Sequence, residues 1–425
     1  MVRFTSVVAL VALLLAGLTL GPAGAAPSPA LFWRGDTHRT IVIYVDFPDA
    51  PAAASALEHA SKQILINTTP NGYKNNLQHF YRDMSYGRLQ VSVDFALNPV
   101  SRNRWFRMPQ QTTAYDKGVT SKSIQLLRDA ITVADREVDY TNYDSVLVII
   151  NAEATSIGCG FARGTRFGAM DKSKSRLNAP TAEKQINRAA EICANDPLWI
   201  VVHEFGHVLG LPDLYSGVTR YMGGWDIMDG NVRFPAAPAD KMRGIGGWSR
   251  RALGFIQDDD VVGVGAGVSR TVTLGSVSAA TLPRGAKRLL RINNPLVPAI
   301  SPDKYLLVEV REPSGYDANV PGPGLLLSEV DEAIGDGEGT VRAISATGEP
   351  SVGAMPEALF KPTKPIQAAR PGGAASAVSE ADWTWTYYGN IAGQGRVWWQ
   401  VGLSFGRQGD AYSVHVVTSR VTPNR

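Results

Sequence analysis

The chain has no long run of charge of either sign. Its 42 basic and 39 acidic residues are interspersed, the formal net charge is +3, and the short acidic turn Asp258-Asp259-Asp260 is the exception. Without a basic stripe, nucleic acid is not an expected partner. Beyond the first twenty residues no stretch approaches the roughly 18 uninterrupted apolar residues of a membrane span. Cysteine is nearly absent, with two residues in 425, Cys159 and Cys193, neither near the N-terminus where a lipid anchor would attach.

What the N-terminus does carry is an export pattern: Arg3, an uncharged apolar run from Val7 to Leu20, then the small residues Ala23-Gly24-Ala25. Cleavage is expected after Ala25, so residues 1–25 form a signal peptide and the mature chain is secreted, extracellular, membrane-free and monomeric. In an exported chain two cysteines favour one disulfide between Cys159 and Cys193, the alternative being two buried thiols. Roughly 400 mature residues suffice for two or three domains, and the apolar content is that of a globular chain.

Ile41 to Phe47 and Ser145 to Ile150 are β-branched runs of buried-strand type, and Leu89, Val91, Val93 and Phe95 alternate like a strand with one wet face. Ser121 to Val138 places Ile124, Leu127, Ile131, Ala134 and Val138 at helical spacing. Asp196-Pro197 predicts the start of a second helix, with the Asp196 side chain as cap, running to about Leu209. Beyond Gly254 short β-rich runs take over: Arg270 to Leu274, Tyr305 to Val310 and Gly395 to Leu403. The expected class is α+β, with a catalytic domain over 26–257 and a β-sandwich-like C-terminal domain over 258–425. Asp258 to Gly267 reads as the boundary and Pro362 to Ala377 as a loop.

The chemistry concentrates at His203-Glu204-Phe205-Gly206-His207. Four residues apart on a helix, His203 and His207 stack on one face and can share a cation. Glu204, one position round, stands beside the metal rather than on it, where a general base must be. Gly210 lets the helix stop in a left-handed conformation and Leu211-Pro212 turns the chain back, so Asp213 arrives as a third ligand. Three protein ligands and one open position suit a catalytic Zn2+, whereas a structural zinc site is closed by four, usually with cysteines. The expected reaction is hydrolysis of peptide bonds in protein or peptide substrates, with Glu204 accepting a proton from water and passing it to the departing amine. Against this stand two surface histidines that bind nothing, or a retired enzyme that keeps the motif without the activity.

The run from His203 to Tyr215, His-Glu-Phe-Gly-His-Val-Leu-Gly-Leu-Pro-Asp-Leu-Tyr, resembles the zinc signature of the immune-inhibitor-A-type metalloproteases, secreted endopeptidases allied to the metzincins. Val45 to Asp49, Met84 to Leu89, Gly224 to Met228, Trp248-Ser249 with Leu253 to Phe255, Tyr305 to Arg311 and Pro321 to Leu327 are similar to further segments of that family, in order. The resemblance implies a metzincin-like fold of mixed sheet and active-site helix, His203, His207 and Asp213 as zinc ligands, Glu204 as base, and Met228 as an apolar floor beneath the metal. It also implies departures. Two residues after Met228, where some metzincins place an oxyanion-holding tyrosine, stands Gly230; Tyr215 or Tyr221 could substitute. Ser328-Glu329-Val330-Asp331 replaces the family's usual His-Ile-Asp ending. Relatives can bind structural Ca2+, for which Asp331 to Glu338 offers acidic groups without a ligand spacing that establishes a site.

A different class of function is a secreted binding module, inactive as an enzyme, using Trp383, Trp385, Tyr387, Tyr388, Trp398 and Trp399 to contact glycan or cell wall; the same rings at strand spacing also suit a core between two sheets. A zinc hydrolase of non-peptide amides would share the chemistry and differ only in its cleft.

Overall fold

The β-branched run near the start of the chain is the spine of the first half. The computed structural model describes residues 36–53, 76–115, 120–151, 157, 160–163, 176–230, 242–293, 304–344, 359–360, 383–391 and 395–421, with backbone alone at 163, 359–360, 383–391, 395–400 and 420–421. The expected signal peptide, Cys159 and with it the expected disulfide, the loop Pro362 to Ala377 and the side chains of the C-terminal aromatic cluster lie outside the described residues.

In chain order the first half comprises β1 (Thr37–Asp46), α1 (Leu77–Met84), β2 (Gln90–Ala96), β3 (Phe106–Arg107), α2 (Thr120–Ala134), β4 (Ser145–Ile150), β5 (Phe161–Arg163), the hairpin β6 (Ala179–Pro180) and β7 (Gln185–Ile186), β8 (Ala189–Cys193), α3 (Leu198–Leu209), the hairpin β9 (Tyr215–Ser216) and β10 (Thr219–Arg220), and α4 (Gly247–Ala252). The main sheet runs β2-β1-β4-β8-β5, parallel throughout except for the antiparallel edge strand β5, with β3 continuing beside the end of β1. Strand alternation sorts its residues between two cores. Ile41, Ile43, Val45, Val146, Val148 and Ile150 face α2, while Val42, Tyr44, Leu147, Ile149 and Ile192 face α1 and α3. That makes three layers, with α3 on the face where the site is built.

The second half comprises β11 (Val261–Val264), β12 (Ser269–Gly275), β13 (Leu289–Asn293), β14 (Lys304–Arg311), β15 (Gly324–Asp331), β16 (Val341–Ala343), β17 (Leu359–Phe360), β18 (Trp383–Ile391), β19 (Gly395–Gln408) and β20 (Ala411–Val421). One sheet runs β11-β13-β14-β15-β16 with β17 on β15; the other runs β12-β20-β19-β18. The segment read as a boundary therefore contains a strand, β11, paired parallel to β13. Leu290, Leu306, Val308, Leu325 and Leu327 meet Leu274, Leu403, Tyr412 and Val414 of the other sheet. The opposite face of the first sheet, through Leu289, Tyr305, Leu307, Leu326, Val330 and Val341, joins the core that holds α3 and Trp225. Burial on both faces explains why β13, β14 and β15 read as nearly continuous apolar runs rather than alternating ones.

The fold is mixed α+β with several sheets, and no helix among the described residues is long and apolar enough to cross a membrane. α3 starts one residue later than Asp196-Pro197 suggested. Pro197 takes the cap position with extended backbone, and Asp196 turns back to accept the Cys193 N–H at 2.7 Å, closing the end of β8 instead of the helix.

His38, in β1, is wholly buried, bonded through Nε2 to Ser145 Oγ at 2.8 Å and set edge-on to Phe205 of α3. Burial first, and Arg188 second, push its pKa down to about 3 from 6.5. The unfolded chain thus takes up a proton below pH 6.5 that the native state refuses until about pH 3, so stability falls as pH falls through that window. Denaturant unfolding at pH 7 and pH 4.5 is expected to show a loss on the order of 2–3 kcal/mol in the native chain that His38→Gln does not suffer. Equal losses in both proteins would contradict this.

Candidate metal centre

α3 is apolar around most of its circumference and nine of its residues, Val201 to Leu209, are buried, so its histidines are delivered into the interior rather than to water. Gly210 ends it in the left-handed region at φ 113°, with its N–H bonded to the carbonyls of Gly206 and His207. A residue with a side chain is strained there. The chain reverses through Leu211-Pro212 and returns Asp213 over the same face.

The result is a convergence of three atoms. His203 Nε2 and His207 Nε2 lie 3.2 Å apart, and Asp213 Oδ1 is 3.3 Å from each. Among the described residues these three form the single group of histidine, cysteine or carboxylate side chains gathered closely enough to hold a metal ion. The other ring nitrogens are committed: His203 Nδ1 bonds the Ile227 carbonyl at 3.0 Å and His207 Nδ1 the Leu211 carbonyl at 2.7 Å. A carbonyl only accepts, so Nδ1 carries the proton in each ring and both Nε2 lone pairs point at Asp213. Asp213 Oδ1 is buried without a hydrogen-bond donor of its own. Three acceptors facing one another at this range need a cation between them, and two imidazoles with one carboxylate are a donor set that suits zinc.

The electrostatics carry the same signature. Burial alone would lower the His207 pKa, but the adjoining Asp213 carboxylate, with Glu204 and Asp336 behind it, pushes it up to about 10. Burial would raise Asp213, and the two imidazoles instead hold it well below the usual carboxylate range. Asp213 keeps 28 % of its side chain exposed, against 5 % and 8 % for the histidines, which gives the cluster one open side.

Glu204 is buried beside this cluster. Its Oε1 lies against Gly160, where an added Cβ would come within 2.8 Å, so the backbone just before edge strand β5 forms the wall next to the carboxylate. Met228 lies under the helix: a Cβ on Gly206 would meet its sulfur at 2.6 Å. Met228 belongs to a short 3-10 turn, Ile227–Asp229, capped by Asp226, whose Oδ1 accepts the Met228 N–H at 2.9 Å. The Met228 carbonyl accepts the Leu214 N–H at 2.9 Å, which ties this turn to the segment carrying Asp213. Of the two tyrosines considered for Gly230's missing side chain, Tyr215 is the one at the cluster. Its ring is 6.2 Å from that of His203, and its edge stands 3.2 Å from where a Gly230 Cβ would be. Tyr221 instead lies under Arg342, against Gly339.

Sequence reasoning missed one clamp altogether. The Asp213 N–H donates to Asp336 Oδ1 at 2.7 Å and the Asp213 carbonyl accepts the Gly337 N–H at 3.2 Å. A loop 123 residues downstream holds the backbone of Asp213, and no local spacing signals a contact so distant in sequence. The other carboxylates of that acidic loop face separate partners: Asp331 pairs Lys304, Glu332 accepts from Tyr305 and Trp248, and Glu338 accepts the Gly335 N–H.

Gly206 tests the packing beneath the cluster. Alanine is the better helix former by about 1 kcal/mol, but at 2.6 Å from the Met228 sulfur its methyl must push the Met228 side chain aside, within the turn whose Ile227 carbonyl holds His203 Nδ1. Overpacking of this kind costs about 1–3 kcal/mol. Gly206→Ala is expected to lower the unfolding midpoint and weaken zinc binding, read by calorimetry and metal titration. A stabilised variant with unchanged zinc affinity would show that the turn is free to move.

Comparison with curated proteins finds no match. A family model does match: residues 77–212 fit metallopeptidase family M12B, reprolysin-like. The matched span takes in α1 through α3 with His203, Glu204 and His207, and stops one residue short of Asp213, which stands where the extended metzincin pattern carries its last histidine. Over those residues the chain is similar to the reprolysin-like metallopeptidases of family M12B, and that similarity supports a zinc-dependent metallopeptidase domain.

Proposed function

We propose that this chain is a secreted zinc endopeptidase of the immune-inhibitor-A type, with His203, His207 and Asp213 as metal ligands and Glu204 as the general base. The observation that carries the reading is the meeting of both Nε2 lone pairs with Asp213 Oδ1 while both Nδ1 atoms are held by backbone carbonyls. The catalytic unit is residues 26–257, with 258–425 as the β-rich part that follows it. The signal peptide, the extracellular location and the disulfide of Cys159 with Cys193 belong to the same proposal. Calcium does not form part of it.

Zinc bound at this cluster supplies Lewis-acid chemistry, bringing the pKa of a water from about 15.7 to near 7 and polarising a peptide carbonyl. The chain's own residues do the rest. Glu204 accepts the proton of the attacking water and returns it to the amide nitrogen as the carbon–nitrogen bond breaks, so the products are a carboxylic acid and an amine. Gly160, having no side chain, leaves room for the Glu204 carboxylate to stand against the backbone there. The Ile227 and Leu211 carbonyls keep both rings in the tautomer that ligation requires. Tyr215, beside His203, is the hydroxyl available to the oxyanion.

Purified mature chain loaded with zinc is expected to cut an unfolded protein substrate, and a chelator to stop it. Glu204→Ala is expected to keep its zinc and lose about 10²–10⁴ in kcat. If the native chain with zinc bound cuts no protein, the endopeptidase reading fails; if Glu204→Ala cuts as fast as the native chain, Glu204 is not the base.

A further inference from the structure

Behind the metal cluster two arginines lack the acceptors that buried guanidinium groups ordinarily find. Arg243 is only 9 % exposed; its Nη2 donates to the Gly230 carbonyl, and its Nη1 is buried with no hydrogen-bond partner. Arg220, in β10 and partly exposed, also has a buried Nη1 without a partner, and its guanidinium lies 4.5 Å above the Tyr215 ring. Both reach Gly230: a Cβ there would stand 3.2 Å from Arg220 Nη1, while Arg243 holds the carbonyl. Neither arginine forms an ion pair among the described residues. The acid that acts on both is Asp229, which already accepts the N–H groups of Tyr221 and Gly224, and which burial pushes up to about 7. Asp226 and Asp317 also act on Arg243, but no carboxylate bonds either guanidinium among the described residues, so both buried Nη1 donors are left unused, a costly arrangement unless an anion completes it.

We propose that Arg220 and Arg243 form an anion subsite, one tyrosine ring from the metal cluster, that takes a single carboxylate-sized anion. Guanidinium groups present paired N–H donors that match a carboxylate, and a site this desolvated strengthens the contact. Tyr215 joins the subsite to the centre, with one face under Arg220 and its ring 6.2 Å from that of His203. The carboxylate has two sources: an acidic side chain of a bound peptide close to the scissile bond, which rests on the peptidase reading, or a free small carboxylate, which does not.

The test compares the zinc-loaded native chain with Arg220→Gln, using acetate as the probe at constant ionic strength. Acetate is expected to raise the unfolding midpoint of the native chain and to move Arg220→Gln little. Equal shifts in the two proteins, or none in either, overturn the subsite. Arg220→Lys, which keeps the charge and loses the fork, is expected to fall between them and serves if Arg220→Gln does not fold. Peptide pairs that differ by Asp or Asn at each position flanking the cut then assign the source. A preference for Asp of at least about tenfold in kcat/KM, expressed mainly in KM and falling toward one in Arg220→Gln, assigns it to the substrate. An acetate shift without that preference assigns a free carboxylate. Should no peptide be cut at all, the peptidase reading fails while the acetate comparison still decides the subsite.

Discussion

Three lone-pair atoms held within 3.3 Å of one another repel unless a positive charge sits among them, and much of this molecule is arranged to enforce that approach. The two nitrogens come from one helix, whose pitch sets their spacing. The oxygen comes from the chain after a left-handed glycine, which reverses it over the same face. Each ring is locked from behind by a carbonyl, one from the turn at Ile227 and one from the helix's own exit at Leu211. Asp213 is locked from the far half of the chain, through Asp336 and Gly337. Freed from these restraints, the carboxylate and imidazoles could turn apart into water; held by them, the cluster is prepared for a cation before one arrives.

The same logic explains a dense charge network in the junction between the two halves. Arg311, wholly buried, pairs Glu309 at 3.0 Å and Asp317 at 2.8 Å. Those carboxylates also accept the N–H groups of Gly247 and Gly244, while Asp226 accepts those of Gly246 and Met228 and the Ser249 hydroxyl. These N–H and O–H donors all belong to the stretch from the Ile227–Asp229 turn to α4, and Asp317 also accepts the Ser278 hydroxyl. Breaking one partner strands a buried charge, at about 3–5 kcal/mol. Together with the shared apolar core, the network makes the inner β-sheet a support for the turn beneath α3.

What could be read from the chain in advance follows from the range of each interaction. β1, β4, α2 and α3 were legible because strand alternation, β-branched runs and helical spacing are local, and the His203–His207 pair was legible because four residues is one helical turn. Asp213 was within reach because Gly210 and Pro212 announce a reversal. The rest needed the third dimension. Asp336 clamps Asp213 across 123 residues; the acidic loop that carries it offers carboxylates in sequence but no spacing that marks one of them for this contact. Arg220 and Arg243 are ordinary in sequence and unusual only for the partners they lack. Asp196 looked like a helix cap, yet its carboxylate found the Cys193 N–H first. In β11 the apolar signal is only four residues long, too short to stand out from a linker.

The central claim is that His203, His207 and Asp213 hold one zinc ion with a side left open for chemistry. Crystallography of the zinc-loaded chain, with anomalous data on both sides of the zinc absorption edge, tests it directly. The account predicts one strong anomalous peak about 2.0–2.2 Å from His203 Nε2, His207 Nε2 and an Asp213 oxygen, with no fourth protein ligand. A peak elsewhere, or one closed by four protein ligands, would contradict it.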